Sequence, residues 1–282
     1  MITIGPTACT HCNRCYLACP DGIITRGPDL IPDAEVLCTR CGACYAVCPE
    51  AAITVLGLED VPTPPVSDPP PVGPDAMMTL LAQRRSRRAY SAEPVSRDHL
   101  EAIIRAASLG PSSQNRRPVS AHVYQDPEAI SRIRQATLAY CRQLQTLSRL
   151  PGFALLWRLT GRPPDQLPLL RGNLRHLLSP DNEGDPLLYN APALLAFTVP
   201  RGEAEAVGDG WIAAQNAVIY AETIGVGTCY NGFVAAAAGT QGVRRALGLP
   251  RGENVVAVLT LGYPRTTYLR QAPRRTMPTT WH

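Results

Sequence analysis

Lysine is absent from this chain: all 27 basic residues are arginine. No lysine Schiff base can form, which excludes that route of covalent catalysis. Long apolar runs are absent too, and none approaches the roughly 18 residues needed to span a bilayer. The segment Met1–Pro6 has neither the basic flank nor the apolar stretch that directs export, so an unexported, cytoplasmic protein with no membrane partner is expected. The common nucleotide loops are missing. There is no G-x-x-x-x-G-K-S/T, and Gly225-Val226-Gly227 fails G-x-G-x-x-G because residue 230 is tyrosine. Aromatic residues make up only 6% of the chain, and no stripe of them accompanies the arginines, which argues against a nucleic-acid surface.

Cysteine is plentiful and concentrated. Eight of ten cysteines lie between Cys9 and Cys48, and without an export signal this favours metal ligation over disulfides. They form a repeat with a 29-residue offset: Cys9, Cys12, Cys15, Cys19 and Pro20 recur as Cys38, Cys41, Cys44, Cys48 and Pro49, with Tyr16 recurring as Tyr45. Each copy is too short to bury a core alone, so the pair must close around something. Both runs fit C-x2-C-x2-C-x3-C-P, in which the fourth cysteine serves the other cluster of a pair. One 4Fe–4S cluster is then expected on Cys9, Cys12, Cys15 and Cys48, and a second on Cys38, Cys41, Cys44 and Cys19. Zinc sites do not need four cysteines in this repeated register. His11 reads as a spacer. Residues 1–60 resemble bacterial two-cluster ferredoxins, which implies one-electron transfer.

Charge divides at the same place. Residues 1–60 carry three Arg against seven acids, a balance of −4, and the remainder carries 24 Arg against 16 acids, a balance of +8. Seven prolines fall between 61 and 76, a composition that favours an extended linker reaching on the order of 50 Å. The expected division is therefore 1–60, a linker at 61–76, and a larger domain at 77–282. In the last part, helices are expected at Met77–Arg85, at Arg97–Leu109 behind the N-cap Ser96, in a long element opened by Asp126-Pro127, and at Trp211–Ile224 before Gly225. Strands are expected at Ala121–Tyr124, Ala193–Val199 and Val255–Leu261. The stretch 150–190 shows helical pieces without a clear period; it reads either as a lid or pocket wall, with Trp157, Arg162, Arg171, Arg175 and His176 available, or as an arm at a subunit interface. The class is α+β.

The arginines gather twice, at Arg84-Arg85-Ser86-Arg87-Arg88 and at Arg274-Arg275. Planar guanidiniums beside a hydroxyl suit a phosphate monoester. With Pro111-Ser112-Ser113-Gln114-Asn115, the turn Gly225–Phe233 and Leu261-Gly262-Tyr263-Pro264, these segments resemble the nitroreductase family of FMN-dependent enzymes across residues 77–282. That resemblance implies a three-layer α+β domain with a central, mostly antiparallel sheet, and an intertwined homodimer with FMN at its interface. It implies that Arg84, Arg85, Ser86 and Arg88, with Arg274 and Arg275, hold the phosphate, and that Pro111, Ser112, Ser113 and Asn115 address the flavin ring, Asn115 at the pyrimidine edge. A backbone N–H at Gly232 would address flavin N5, with Tyr230 and Asn231 adjacent as candidates near the chemistry. Where many relatives have Asn-x-Gln-Pro-Trp, this chain has Asn115-Arg116-Arg117-Pro118-Val119, which brings a positive charge toward the ring or toward an anionic substrate.

The expected function is an FMN-dependent oxidoreductase that takes single electrons through two 4Fe–4S clusters from an external low-potential donor, ferredoxin-like or NAD(P)H-linked. It would act on a small organic substrate such as a nitro, quinone or activated-alkene compound. The alternative is a non-enzymatic electron carrier or redox sensor, which a substrate-sized cavity beside the flavin would disfavour. Cys141 and Cys229 read as packing residues.

Overall fold

In a computed structural model, described for residues 1–66, 71–161 and 163–282, the chain divides into two units. The first comprises Met1–Pro71 together with Ser112–Arg117, and the second Val72–Pro111 and Pro118–His282. Residues 67–70 of the expected linker and Arg162 lie outside the described residues.

The first unit opens with β1 (Ile2–Ile4), then α1 (Arg14–Ala18), α2 (Ala34–Leu37), α3 (Ala43–Ala46) and β2 (Ile53–Val55). The strands pair antiparallel, with Ile2 opposite Val55. Their inward residues Ile2, Ile53 and Val55 pack with Ile23, Ile24 and Ala34 around the buried Cys15 and Cys44. So small an apolar set is marginal by itself, consistent with a fold that needs a cofactor at its centre. The repeat seen in the cysteines is also written in the backbone. His11 and Arg40 (φ 56° and 51°), Asn13 and Gly42 (61° and 76°), and Gly22 and Ala51 (64° and 49°) form three left-handed pairs, each at the 29-residue offset. L-residues seldom adopt this region, so its recurrence marks a turn geometry that each half must reproduce.

The second unit begins with α4 (Pro74–Gln83), where proline occupies the first turn and needs no N–H partner. The helix thus starts within the stretch whose prolines suggested linker, because a leading proline opens a helix as readily as it prolongs an extended segment. Next come α5 (Arg97–Ser108), β3 (Ser120–Tyr124), α6 (Pro127–Ser148), α7 (Phe153–Leu159), α8 (Gln166–Leu177), β4 (Ala193–Pro200), α9 (Ala204–Thr223), β5 (Gly227–Tyr230), α10 (Gly232–Ala237), α11 (Gln241–Ala246) and β6 (Glu253–Gly262). The Ser96 hydroxyl caps α5 through the His99 N–H, and the Asp126 carboxylate caps α6 through Glu128 and Ala129.

The sheet order is β3-β4-β6-β5, with every neighbouring pair antiparallel. Strand alternation divides the core. Ala193, Leu195 and Phe197 of β4 join a cluster with α5 and α9, while Leu194 and Ala196 join one with α6, α8, α10 and α11. Three layers result. Helix α9 comes close to the sheet because its buried face is alanine and glycine: a Cβ on Gly210 would lie 3.0 Å from the Val256 side chain.

Candidate functional site

The first unit gathers the cysteines into the two crossed sets that the spacing implies. Cys9, Cys12, Cys15 and Cys48 line one cavity. Cys44 lies close enough to Cys41, Cys19 and Cys38 to interact electrostatically with each. All are free thiols. Among the described residues no three His, Cys, Asp or Glu side chains converge on a point that would hold one metal ion. Eight thiols in two sets of four suit a pair of polynuclear cubes, in which each iron takes its own thiolate, better than single zinc ions.

Burial pushes the Cys15 thiol up, and pushes that of Cys44 to about 11. These thiols stay protonated at neutral pH unless a bound metal displaces the proton. N–H donors already point at the sulfurs: Ala52 N–H donates to Cys48 Sγ at 3.3 Å, and the Tyr16 and Tyr45 amides address Cys15 and Cys44.

The segment Ser112–Arg117 packs with this same unit. Pro111, before it, belongs to the second unit. Ser113–Asn115 forms a single 3-10 turn, with Gln114, Asn115 and Arg117 all at positive φ. The Ser112 hydroxyl accepts from Arg117 N–H at 2.9 Å. The Asn115 amide donates to the Arg40 and Thr39 carbonyls at 2.8 and 3.3 Å, and its oxygen accepts from Arg117 Nε at 3.3 Å.

In the second unit the arginine cluster runs extended beside β5, through a Ser86–Thr228 bridge and an Arg87 N–H to Thr228 carbonyl bond of 2.9 Å. Side chains of extended backbone alternate. Ser86 and Arg88 reach the Cys229 thiol, with Arg84 close to Cys229 and to Tyr230. Arg87 points the other way. Its guanidinium pairs with Glu222 at 2.9 Å, donates to the Thr266 carbonyl and lies 4.4 Å from the Tyr268 ring centroid. Arg85 shares the parity of Arg87. Thus the structure brings together Arg84, Ser86 and Arg88. Arg274 and Arg275 are exposed in the extended tail, away from any regular element.

Arg88 is exposed and keeps neutral company: the Tyr189 hydroxyl, the Tyr189 ring at 5.9 Å, Cys229 and Tyr268. A guanidinium whose neighbours are uncharged is suited to receive an anion.

The turn after β5 is tied down by Asn231. Its N–H donates to the Val258 carbonyl at 2.7 Å, its side-chain oxygen accepts from Val234 N–H at 3.0 Å, and its amide donates to the Leu187 carbonyl at 2.7 Å. With both side-chain groups bonded and buried, Asn231 shapes the turn. Gly232 follows, and a Cβ there would meet nothing within 4 Å. Its φ is also ordinary, so neither neighbours nor backbone require glycine at this position. Space for a planar group remains over it. The Tyr230 ring packs tilted against Trp211, with centroids 5.5 Å apart, and its hydroxyl donates to Gln215 Oε1 at 3.3 Å; burial pushes its phenol up to about 12.

Gly232 opens onto a cavity of about 520 Å³. Tyr140, Phe153, Trp157, Tyr189, Tyr230 and Phe233 contribute its aromatic wall, and among the described residues no Asp, Glu, Arg or His side chain lines it. Of the residues singled out in 150–190, Trp157 is in the wall with its indole N–H bonded to the Pro163 carbonyl. Arg171 instead donates to the Ser148 carbonyl, and Arg175 and His176 are exposed on α8 outside the wall. Trp157 and Tyr230 were legible in the sequence, whereas Tyr140, Phe153, Tyr189 and Phe233 were missed because the wall draws on five separate elements and turns.

Comparison with known proteins agrees with this architecture. A family model of a 4Fe-4S dicluster domain matches residues 8–53, and that of the nitroreductase family matches residues 81–263. A protein of Archaeoglobus fulgidus, named for NADH dehydrogenase or NAD(P)H nitroreductase activity, is 22% identical over 193 residues, covering 67% of this chain and 85% of the relative. Solved structures with the same fold include a nitroreductase with bound FMN from Bacteroides fragilis, with TM-score 0.56, 18% identity, and coverage of 73% of this chain and 98% of that one. Another is a nitroreductase with bound FMN from Desulfitobacterium hafniense, with TM-score 0.52, 22% identity and the same coverage. No helix among the described residues is long and apolar enough to cross a membrane. The nitroreductase match spans well over half of the sequence, and the chain belongs to the nitroreductase family, with a 4Fe-4S dicluster domain preceding its nitroreductase domain.

Proposed function

We propose that the protein is an FMN-dependent oxidoreductase fed by two 4Fe–4S clusters. Cys9, Cys12, Cys15 and Cys48 hold one cluster, and Cys38, Cys41, Cys44 and Cys19 the other. Arg84, Ser86 and Arg88 receive the FMN phosphate, and Gly232 leaves room for the ring, its N–H directed at N5. Arg85, Arg274 and Arg275 complete the phosphate site from surfaces that a second copy of the chain brings near, as in an intertwined homodimer. When bound, FMN converts one-electron supply into two-electron chemistry.

The chain's own residues prepare that chemistry. Asn231 fixes the turn that presents Gly232, Arg88 offers a fixed positive charge, and the aromatic wall excludes water from the substrate. Electrons enter from an external low-potential donor, ferredoxin-like or NAD(P)H-linked. The observation that carries the reading is the cavity of about 520 Å³ opening beside Gly232, within the domain that also holds the Arg84, Ser86 and Arg88 group. It favours an enzyme over an electron carrier, which has no need of a substrate-sized space. Its uncharged aromatic lining favours a flat, neutral substrate, such as a quinone or nitroarene, over an anion. Arg117 lies with the first unit, its Nε bonded to Asn115 Oδ1.

Anaerobic purification with iron, sulfide and flavin counts tests the assembly. Eight irons and one FMN per chain are expected, and zinc or a flavin-free protein that cannot be reconstituted would overturn it. Turnover of nitrobenzene against 4-nitrobenzoate tests the pocket, with the neutral compound expected to have the higher kcat/KM.

A further inference from the structure

A segment between α8 and β4 holds backbone that one of its residues resists. Tyr189 and Asn190 stand at φ 62° and 52°, in the left-handed region. Asparagine tolerates this conformation, but a residue as bulky as tyrosine is an outlier there, and such strain persists only where the surroundings fix it. Here they do. Asp185 Oδ1 accepts from the Leu187 and Leu188 N–H groups, each at 3.1 Å, and forms an ion pair with Arg134 of α6 at 3.0 Å. The Tyr189 N–H donates to the Asp185 carbonyl at 2.8 Å, and the Ala191 N–H to the Leu188 carbonyl at 3.0 Å. The Leu187 carbonyl accepts from the Asn231 amide, which joins the segment to the turn that carries Gly232. Leu187 and Leu188 are themselves buried.

The strained residue reaches two places at once. Its ring lines the cavity of about 520 Å³. Its hydroxyl is bonded to the Arg88 guanidinium, which lies 5.9 Å from the ring centroid. A guanidinium only donates, so in that bond the phenol oxygen accepts and its own hydrogen is left to turn toward another acceptor. A phosphate monoester received by Arg88 brings three strongly accepting oxygens to that spot. The guanidinium also polarises the hydroxyl it bonds, which makes the phenol a better donor.

We propose that Tyr189 is a specificity-determining residue for the flavin: it accepts from Arg88 and donates to the phosphate that Arg88 receives, so that FMN is held in preference to a flavin without the phosphate. The inference rests on the phosphate site of the proposed function, and it adds to that site a residue from a segment far from the arginine cluster in sequence. The braced left-handed turn is what aims the phenol at Arg88 while its ring stays in the cavity wall.

The test is a titration of the full-length protein, clusters intact and flavin removed by dialysis, with FMN and separately with riboflavin, each followed anaerobically by flavin fluorescence. Tyr189→Phe keeps the ring and loses only the hydroxyl. Its Kd for FMN is expected to rise about tenfold, the low end for a lost hydrogen bond to a charged group because Tyr189 is only half-buried, while its Kd for riboflavin stays within about twofold of wild type. In an Arg88→Gln background the same substitution should weaken FMN by less than about threefold, since the two side chains act through one bond. Equal loss of both flavins, as a residue that merely packs in the wall would give, an unchanged Kd for FMN, or an undiminished loss in the Arg88→Gln background would overturn the assignment. If Tyr189→Phe fails to fold, Tyr189→Asn, which is at ease in left-handed backbone and has no phenol, decides by the same FMN-to-riboflavin ratio. Wild type that binds neither flavin, or binds both alike, refutes the phosphate site of the proposed function instead, so the two failures are distinguishable.

Discussion

Two adjacent arginines should fail in different ways when removed. Arg87 and Glu222 are each mostly enclosed, with side-chain exposures of 13% and 17%, and their ion pair is 2.9 Å long. Arg87→Gln leaves the Glu222 carboxylate with no cation in a place that water barely reaches. Breaking one side of such a pair costs about 3–5 kcal/mol, and the remaining exposure favours the lower figure. For a domain of this size each kcal/mol moves Tm by roughly 2–4 °C, so a fall of about 6–12 °C is expected. Arg88→Gln removes an exposed guanidinium that is bonded to the Tyr189 hydroxyl and the Cys229 thiol. Its effect on stability should stay within about 0.5 kcal/mol. Its effect on FMN should be large, because hydrogen bonds to a charged group contribute about 1.5–3 kcal/mol, or roughly 10- to 150-fold in Kd. Thermal unfolding of the flavin-free protein and quenching of FMN fluorescence on titration measure the two quantities separately. The double variant Arg87→Gln, Glu222→Gln should recover much of the lost Tm, since no charge is then left unpaired. A stable Arg87→Gln, or an Arg88→Gln that binds FMN as wild type does, would refute the division drawn from strand parity.

Gly232→Ala should leave Tm equal or slightly higher, since no neighbour obstructs the methyl and alanine lowers unfolded-state entropy by about 0.4–1 kcal/mol, while FMN affinity falls at least tenfold on titration. Asn231→Ala should lower Tm by roughly 5–15 °C in a melting experiment, because it removes the cap on Val234 and leaves the Leu187 carbonyl without its donor, about 2–4 kcal/mol together.

How far the sequence could be read depended on whether a feature was local. The cysteine runs, the Ser96 and Asp126 caps and the apolar stretches of β4 and β6 lie on contiguous residues, and the structure has elements there. Helix α9 starts at Ala204, before the expected Trp211, because its first turns bury alanine and glycine, which leave no apolar period to detect. Strand β5 and helices α10 and α11 are four to six residues long, below what periodicity can resolve. The helical pieces of 150–190 became α7 and α8, interrupted by Pro163 and Pro164. Within the arginine cluster the residue types were evident, but their division into Arg84, Ser86 and Arg88 against Arg87 depended on the pairing with β5. The cavity was hidden for a similar reason, since Tyr140, Trp157, Tyr189 and Phe233 meet only after folding.

The left-handed pairs of the cysteine repeats make the first unit its own reference library. In two of the three pairs the same conformational demand is met by two different residues: glycine at 22 but alanine at 51, and glycine at 42 but asparagine at 13. Copying the glycine across, as in Ala51→Gly, releases a Cβ from backbone that disfavours it by about 1–2 kcal/mol, less the greater freedom glycine gains in the unfolded chain. A net rise in the melting temperature of the holoprotein is expected. Each half can thus be engineered by consulting the other, without recourse to any second protein.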